Sequence, residues 1–149
     1  VNLSAIYRPL NNIFLNVIME RIRKKYICKN QIKKGTKGVR ELLKLFKKGY
    51  SIALMIDQRV TQGIKSKFFN EDAFTTTIPA QFVKKFNCKI VPIYIERFDG
   101  TSFMIKVEKP IIFSRGVSTE KITRDLNIWL EKMILKNPGK WIWSHNRWK

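Results

Sequence analysis

The sequence predicts an α/β layered fold, a mostly parallel sheet flanked by helices. Three observations predict it. Strand-type and helix-type segments alternate along the 149 residues, the order that βα units produce. Ser51 to Ile56 is a continuous apolar run that ends in Asp57, the pattern of a strand covered on both faces. The helical stretches each carry one apolar stripe and so need a sheet to pack on. A chain of this length and 44% hydrophobic content buries a real core as one domain. No repeat, linker or second domain stands out, so residues 1–149 read as a single unit.

Val1 to Tyr7 reads as a short strand closed by Arg8-Pro9. Asn11 or Asn12 can cap a helix to about Tyr26, with Ile13, Phe14, Val17, Ile18 and Ile22 on one face, because a short polar side chain satisfies the free N–H groups of a first turn. Residues 23–34 are basic and carry few apolar side chains. Thr36 starts a second helix through Lys48 with Val39, Leu42, Leu43 and Phe46 as its stripe, and Gly49 ends it. Residues 58–75 read as a long loop. Thr76 or Thr77 to Phe86 reads as a helix, with Pro79 confined to its first turn. Lys89 to Glu96 reads as a second buried strand interrupted by Pro92, joined through Asp99-Gly100 to an alternating strand over Phe103 to Val107. Thr119 to Leu135 is a long amphipathic helix with Ile122, Leu126, Trp129, Leu130 and Met133 inward, broken by Pro138-Gly139.

The net charge is +19, and it is uneven: residues 1–50 hold 13 Lys and Arg against 2 acids, whereas residues 51–100 hold 7 against 5. Such a field attracts polyanions, whether nucleic acid, anionic lipid or an acidic carrier protein. Part of the surplus is compositional, since the chain is rich in Lys, Ile and Asn throughout. Cys28 and Cys88 lack C-x-x-C spacing, which excludes the usual zinc patterns and points to two small apolar residues in a reducing compartment. No apolar run approaches the ~20 residues that cross a bilayer. The chain opens on Val1 directly into strand-type sequence, which raises the expectation that it is cut from a longer protein.

Five clusters stand out as candidates for chemistry. The tail Trp141 to Trp148 holds three of the four tryptophans and the one histidine; indoles are costly to expose, so this end must dock. Asp57-Gln58 ends an apolar strand, where α/β sheets collect ligands; a carboxylate there orients a donor, pairs with Arg, or caps a helix. In Lys67-Phe68-Phe69-Asn70, adjacent phenylalanines point to opposite sides, one inward and one towards a cavity that suits an apolar chain. Thr75-Thr76-Thr77 offers hydroxyls and N–H groups at a helix start, which favour an anion or form an ordinary cap. Arg8 follows a strand and can hold phosphate or carboxylate with both guanidinium edges.

Taken in order, Tyr7-Arg8-Pro9, Asp57-Gln58, Phe68-Phe69-Asn70-Glu71-Asp72-Ala73-Phe74-Thr75, Val91-Pro92 and Trp141-Ile142-Trp143-Ser144-His145-Asn146-Arg147-Trp148 resemble the lipid A biosynthesis lauroyl/myristoyl acyltransferases of the lysophospholipid acyltransferase superfamily. The family loop carries Gly where this chain has Asn70, a residue that tolerates the left-handed backbone. The resemblance implies a glycerolipid acyltransferase-like fold with its N-terminal part missing, a partial domain over residues 1–149. It implies transfer of a fatty acyl group from acyl carrier protein to a hydroxyl of a lipid A precursor, without metal or cofactor, on the cytoplasmic face of the bacterial inner membrane. It assigns substrate contacts to Arg8, Asp57, Gln58, Phe68, Phe69, Thr75 and Arg147, with Phe68 and Phe69 bordering the acyl groove. The partners it implies are the carrier, the lipid and an anionic membrane surface, with no nucleic acid.

The family's catalytic His-x-x-x-x-Glu/Asp pair, in which His takes the acceptor's proton, is absent: His145 is the one histidine and no residue follows it at that spacing. No residue of this chain is therefore expected to be catalytic, and His145 reads as structural, held between the tail tryptophans and the core. Two rival readings remain. Gly35-Thr36-Lys37-Gly38 matches the G-x-x-G clamp of KH-type RNA binders in a basic surround, and a non-catalytic lipid-binding member of the same fold would carry the same residues. A glycerolipid acyltransferase fits less well, since it would carry Pro-Glu-Gly-Thr-Arg in place of Asp57-Gln58.

Overall fold

A computed structural model describes residues 2–61 and 63–148. Val1 of the predicted first strand, Gln62 of the expected loop and Lys149 of the tail lie outside the described residues. The chain forms two compact units, Val1–Met55 and Ile56–Lys149.

The first unit runs β1 (Leu3–Tyr7), α1 (Ile13–Tyr26), β2 (Asn30–Lys33), α2 (Thr36–Lys47) and β3 (Ser51–Ala53). Its sheet has the order β2-β1-β3 and both pairings are parallel, with Ile6 opposite Ile32 and Ser4 opposite Ile52. Ile32, Leu42 and Tyr7 fill its interior. Asn12 caps α1, its side chain accepting from the Leu15 N–H at 3.1 Å. The predicted helices are both present. The strand β2 was not legible in the basic stretch, because Lys33 is exposed and Ile32 is its only buried side chain; pairing with β1, not apolar content, makes it a strand.

The run Ser51–Ile56 is parallel as expected but neither as long nor as buried. Its ladder stops at Ala53, Ser51 is exposed, and β3 sits at the sheet edge. The ladder pairs Ser51, Ile52 and Ala53 with Leu3, Ser4 and Ala5, and β1 runs on to Tyr7 without β3 beside it. Gly38, in the first turn of α2, faces the chain before it: a Cβ there would lie 2.0 Å from the Lys33 carbonyl oxygen. Close helix-to-strand packing thus explains the second glycine of Gly35-Thr36-Lys37-Gly38 without an RNA clamp.

A polar knot holds α1 against β1. The Tyr7 hydroxyl donates to Glu20 Oε1 at 2.5 Å, Asn16 Nδ2 donates to the same oxygen at 2.8 Å, and Lys33 Nζ lies 3.4 Å away. The Arg23 guanidinium stands 5.0 Å over the Tyr7 ring. Burial, then the bond to Glu20, pushes the Tyr7 phenol up to about 12, while the Tyr7 bond, then that of Asn16, holds Glu20 down at about 2.

The second unit runs β4 (Ile64–Phe68), β5 (Glu71–Thr75), α3 (Ile78–Phe86), β6 (Ile93–Asp99), β7 (Ser102–Val107) and α4 (Thr119–Lys136), followed by short 3₁₀ turns at Pro138–Lys140 and Trp143–His145. Here the expected mostly parallel sheet is corrected. The strands form two separate antiparallel hairpins, β4-β5 and β6-β7. Residues 64–75, expected as loop, are a hairpin in which Phe68 pairs with Glu71 around the two-residue turn Phe69-Asn70. Both turn residues have positive φ, 51° and 63°, as a type I′ turn requires; Asn70 takes the left-handed backbone expected of it. Lys89 to Glu96 is likewise not a buried parallel strand. Ile90 bridges Ile111, and regular pairing resumes only at Ile93, just past Pro92, which has no N–H to donate. Apolar residues of β6 and β7 such as Ile95 and Ile105 are exposed.

The core of this unit lies between α4 and the β4-β5 hairpin. Phe68, Ala73, Leu130 and Ile134 form one cluster, and Ala80, Val83, Ile122 and Leu126 form another, with α3 against α4. Gly63 enters the hairpin where a Cβ would meet the Thr75 carbonyl oxygen at 2.2 Å.

Two outcomes follow from this packing. Gly63→Ala should cost about 1–3 kcal/mol by overpacking, whereas Gly139→Ala, which meets no atom within 4 Å, should leave thermal unfolding nearly unchanged; Trp-monitored melting compares them. For the knot, the Glu20 share of stability is complete above its ordinary value near 4.5 and is lost as pH falls through about 2. The Tyr7 share is complete below 10.0 and is lost as pH rises through about 12. Ultraviolet titration should show one of the four tyrosines ionising late, and Glu20→Gln should lower its pKa.

Candidate functional site

The α4 helix buries two polar side chains: Thr123, whose hydroxyl donates back to the Thr119 carbonyl at 2.7 Å, and Asn127, which faces the β4-β5 hairpin. Asn127 is 1% exposed, and its amide nitrogen donates to Ser66 Oγ at 3.2 Å, to the Lys67 carbonyl at 3.1 Å and to Thr75 Oγ1 at 3.2 Å. Its carbonyl oxygen accepts from Arg147 Nη2 at 2.8 Å, and the same nitrogen reaches Thr75 Oγ1 at 3.1 Å. The Arg147 guanidinium is fully buried and lies 4.0 Å over the Phe68 ring. One arginine in the tail thus closes a network across β4, β5 and α4.

Among the described residues no carboxylate forms a direct ion pair with this cation. Burial brings Arg147 down to about 10, opposed by the Asp57 and Glu131 carboxylates, which favour its charge. It remains charged at neutral pH. Arg147 Nε and Nη1 and the Asp57 Oδ1 are buried without a hydrogen-bond partner among the described residues. Asp57 therefore acts on Arg147 through space rather than by a formed ion pair.

The aromatic tail docks as its composition requires. Trp148 Nε1 donates to the Phe68 carbonyl at 3.0 Å and Trp143 Nε1 to the Pro138 carbonyl at 2.8 Å. Trp141 and Trp148 pack on Phe68, and Phe69 packs on Trp143. Phe69 holds its positive φ because Glu131 Oε1 accepts its N–H at 2.8 Å. His145 is not wedged beneath the tryptophans. Its side chain is exposed, and its Nε2 accepts the Arg59 N–H at 3.1 Å, tying the tail to the stretch that follows Asp57-Gln58.

The sequence-predicted site residues fall into three places. Arg8 is exposed just past β1 and borders, with Pro9, Leu10 and Asn11, an open hollow of about 340 Å³. Asp57 and Phe69 are half-buried and Gln58 is exposed, all in the second unit. Phe68, Thr75 and Arg147 are in the interior. This corrects the expectation that Phe68 borders an open groove: α4 and the tail tryptophans cover it. In the threonine run, Thr76 Oγ1 accepts the Ile78 N–H at 3.4 Å at the start of α3. Thr75 faces Arg147, and Thr77, at the N-cap of α3, makes no side-chain cap bond. Sequence reasoning missed Asn127, Ser66 and Glu131. Asn127 was findable, since it sits on the buried stripe of α4, where an amide must have partners.

The ordered corners at Arg8, Asp57 and the Phe69-Asn70 turn, with an arginine-locked tryptophan tail, correspond to a known family. The model of the bacterial lipid A biosynthesis acyltransferases matches residues 2–149. The chain belongs to that family. Among curated proteins none matches the chain. Family membership gives the acyltransferase class and a lipid A-type acceptor. In this acyltransferase chain, among the described residues, no group of His, Cys, Asp and Glu is placed to hold a metal ion, and Cys28 and Cys88 are free and half-buried.

Removing either partner of the network tests its reading. Asn127→Ala leaves Arg147 Nη2 with Thr75 Oγ1 alone and removes the donor that Ser66, Lys67 and Thr75 share, and should cost about 1–3 kcal/mol. A double-mutant cycle with Asp57→Asn and Arg147→Met should return a coupling of about 0.5–3 kcal/mol; no coupling would mean that Asp57 is not the counter-charge.

Proposed function

We propose that this chain carries the substrate-handling part of an acyltransferase that moves a fatty acyl group from acyl carrier protein to a hydroxyl of a lipid A precursor. The observation that carries the reading is the family match over residues 2–149. Because that match runs across the boundary at Met55, the two units are read as parts of one domain. The location is the cytoplasmic face of the bacterial inner membrane, where a +19 chain meets anionic lipid, a phosphorylated sugar and an acidic carrier.

In the reaction the acceptor hydroxyl gives its proton to a general base, and its oxygen attacks the thioester carbonyl. The carbon–sulfur bond then breaks and the carrier thiolate leaves, taking up a proton. No cofactor enters. His145, engaged with the Arg59 N–H, is not the base, and the chain holds no other histidine; the base is supplied by polypeptide outside these residues. Arg8, exposed beside its hollow, contacts substrate phosphate or the reacting centre. Asp57 and Gln58 shape the site floor, Phe69 meets the acyl chain, and Arg147 acts on Asp57 from beneath.

The experiment is acyl transfer from acyl carrier protein to a lipid A precursor by the chain joined to the polypeptide that supplies the base. Arg8→Ala should lower turnover by roughly 10²-fold or more with the fold retained, while His145→Ala should retain it. The 149-residue chain alone should transfer nothing; transfer by it would put the base among these residues and overturn the scheme.

A further inference from the structure

Helix α1 is turned inside out. Its inward side is mostly polar: Asn16, Glu20 and Arg23, spaced four and three apart, make the knot with Tyr7 and Lys33, and Met19 is the one apolar residue half-buried among them. None of its residues is buried. The side chains turned to the outside are apolar: Ile13 is 77% exposed, Phe14 85%, Ile18 53% and Ile22 43%. A helix on a water-facing surface has the opposite arrangement, and an apolar face of this extent marks an interaction surface.

The face is also charged at one end. Arg21 and Lys25 are exposed and lie three positions beyond Ile18 and Ile22, so they share the outer face. The last turn holds Arg23, Lys24 and Lys25. A protein partner covering Phe14, Ile18 and Ile22 would have to take Arg21 and Lys25 out of water, which is costly without matched acids. A bilayer surface solves both needs. Its acyl boundary takes the apolar stripe, and anionic headgroups take the cations, whose long stems reach the interface. With 14 residues, α1 is too short to span; among the described residues no helix is long and apolar enough to cross a membrane.

We propose that α1 lies flat in the surface of an anionic bilayer, with Phe14, Ile18 and Ile22 in the acyl boundary and Arg21 and Lys25 on lipid phosphates. Its inner polar knot keeps the apolar side pointing outward. The lipid-handling role proposed above supplies the choice of lipid class, but the test reads vesicle binding and not acyl transfer, so either can fail alone.

The probe is flotation of the chain with vesicles of phosphatidylcholine alone and of phosphatidylcholine with phosphatidylglycerol. Binding should require phosphatidylglycerol. Phe14→Ser should weaken it about tenfold with circular dichroism unchanged, since an exposed side chain is lost. Arg21→Gln with Lys25→Gln should weaken it by roughly tenfold or more. Phe98→Ser, at another exposed aromatic of the second unit, should bind as the parent does. Equal binding by Phe14→Ser and the parent would reduce the attraction to bulk charge and overturn the proposal. So would loss of binding in Phe98→Ser, or a lipid-free dimer in ultracentrifugation that Phe14→Ser abolishes.

Discussion

A single buried guanidinium organises the second unit. Arg147 comes from the last few residues, lies over the face of Phe68, and bonds to Asn127 on α4 and Thr75 on β5. Each of these groups would be expensive to bury alone. Asn127 in an apolar helix interface needs acceptors and a donor, and the hairpin with Arg147 supplies both. The hairpin needs a lid over Phe68, and the tail tryptophans supply it. Thus the polar network explains why a chain end, ordinarily loose, is held against the core.

That arrangement also leaves charge in reserve. Two Arg147 nitrogens and one Asp57 oxygen are buried without partners among the described residues, a condition seldom met in folded proteins. The Asp57 carboxylate favours the Arg147 charge across a gap, so Asp57 is held near the tail without being consumed by a close ion pair. Asp57 is half-buried, stands beside exposed Gln58 and precedes a stretch pinned by His145. The first unit solves a different problem. There the hydrogen-bonding side of α1 is spent on β1, and its greasy side is left for something other than its own sheet.

Several readings transferred directly from residues to structure. Asn12 caps α1, Pro79 sits in the first turn of α3, and Asp99-Gly100 joins two antiparallel strands. Family membership was legible from short motifs whose residue types are tied to turns and strand ends. Other elements were misread for identifiable reasons. The hairpin over residues 64–75 alternates Ile64, Ser66 and Phe68 inward against exposed Lys65 and Lys67, a two-residue period obscured by a turn without glycine. The strand β2 has one buried side chain and exists because β1 pairs with it.

Local chemistry, then, was readable from composition and spacing: caps, turn residues, the amphipathic α4, the need of an indole-rich end for shelter, and the ordered motifs of an acyltransferase family. Those features depend on neighbours close along the chain. Strand partners, the burial of Phe68, the outward turn of the α1 apolar side and the meeting of Arg147 with Thr75 and Asn127 depend on residues distant in sequence, 72 positions apart for the first of those bonds and 20 for the second. Nothing in a local pattern encodes which distant group will satisfy a buried donor; folding settles that by finding the one packing in which most such groups are paired.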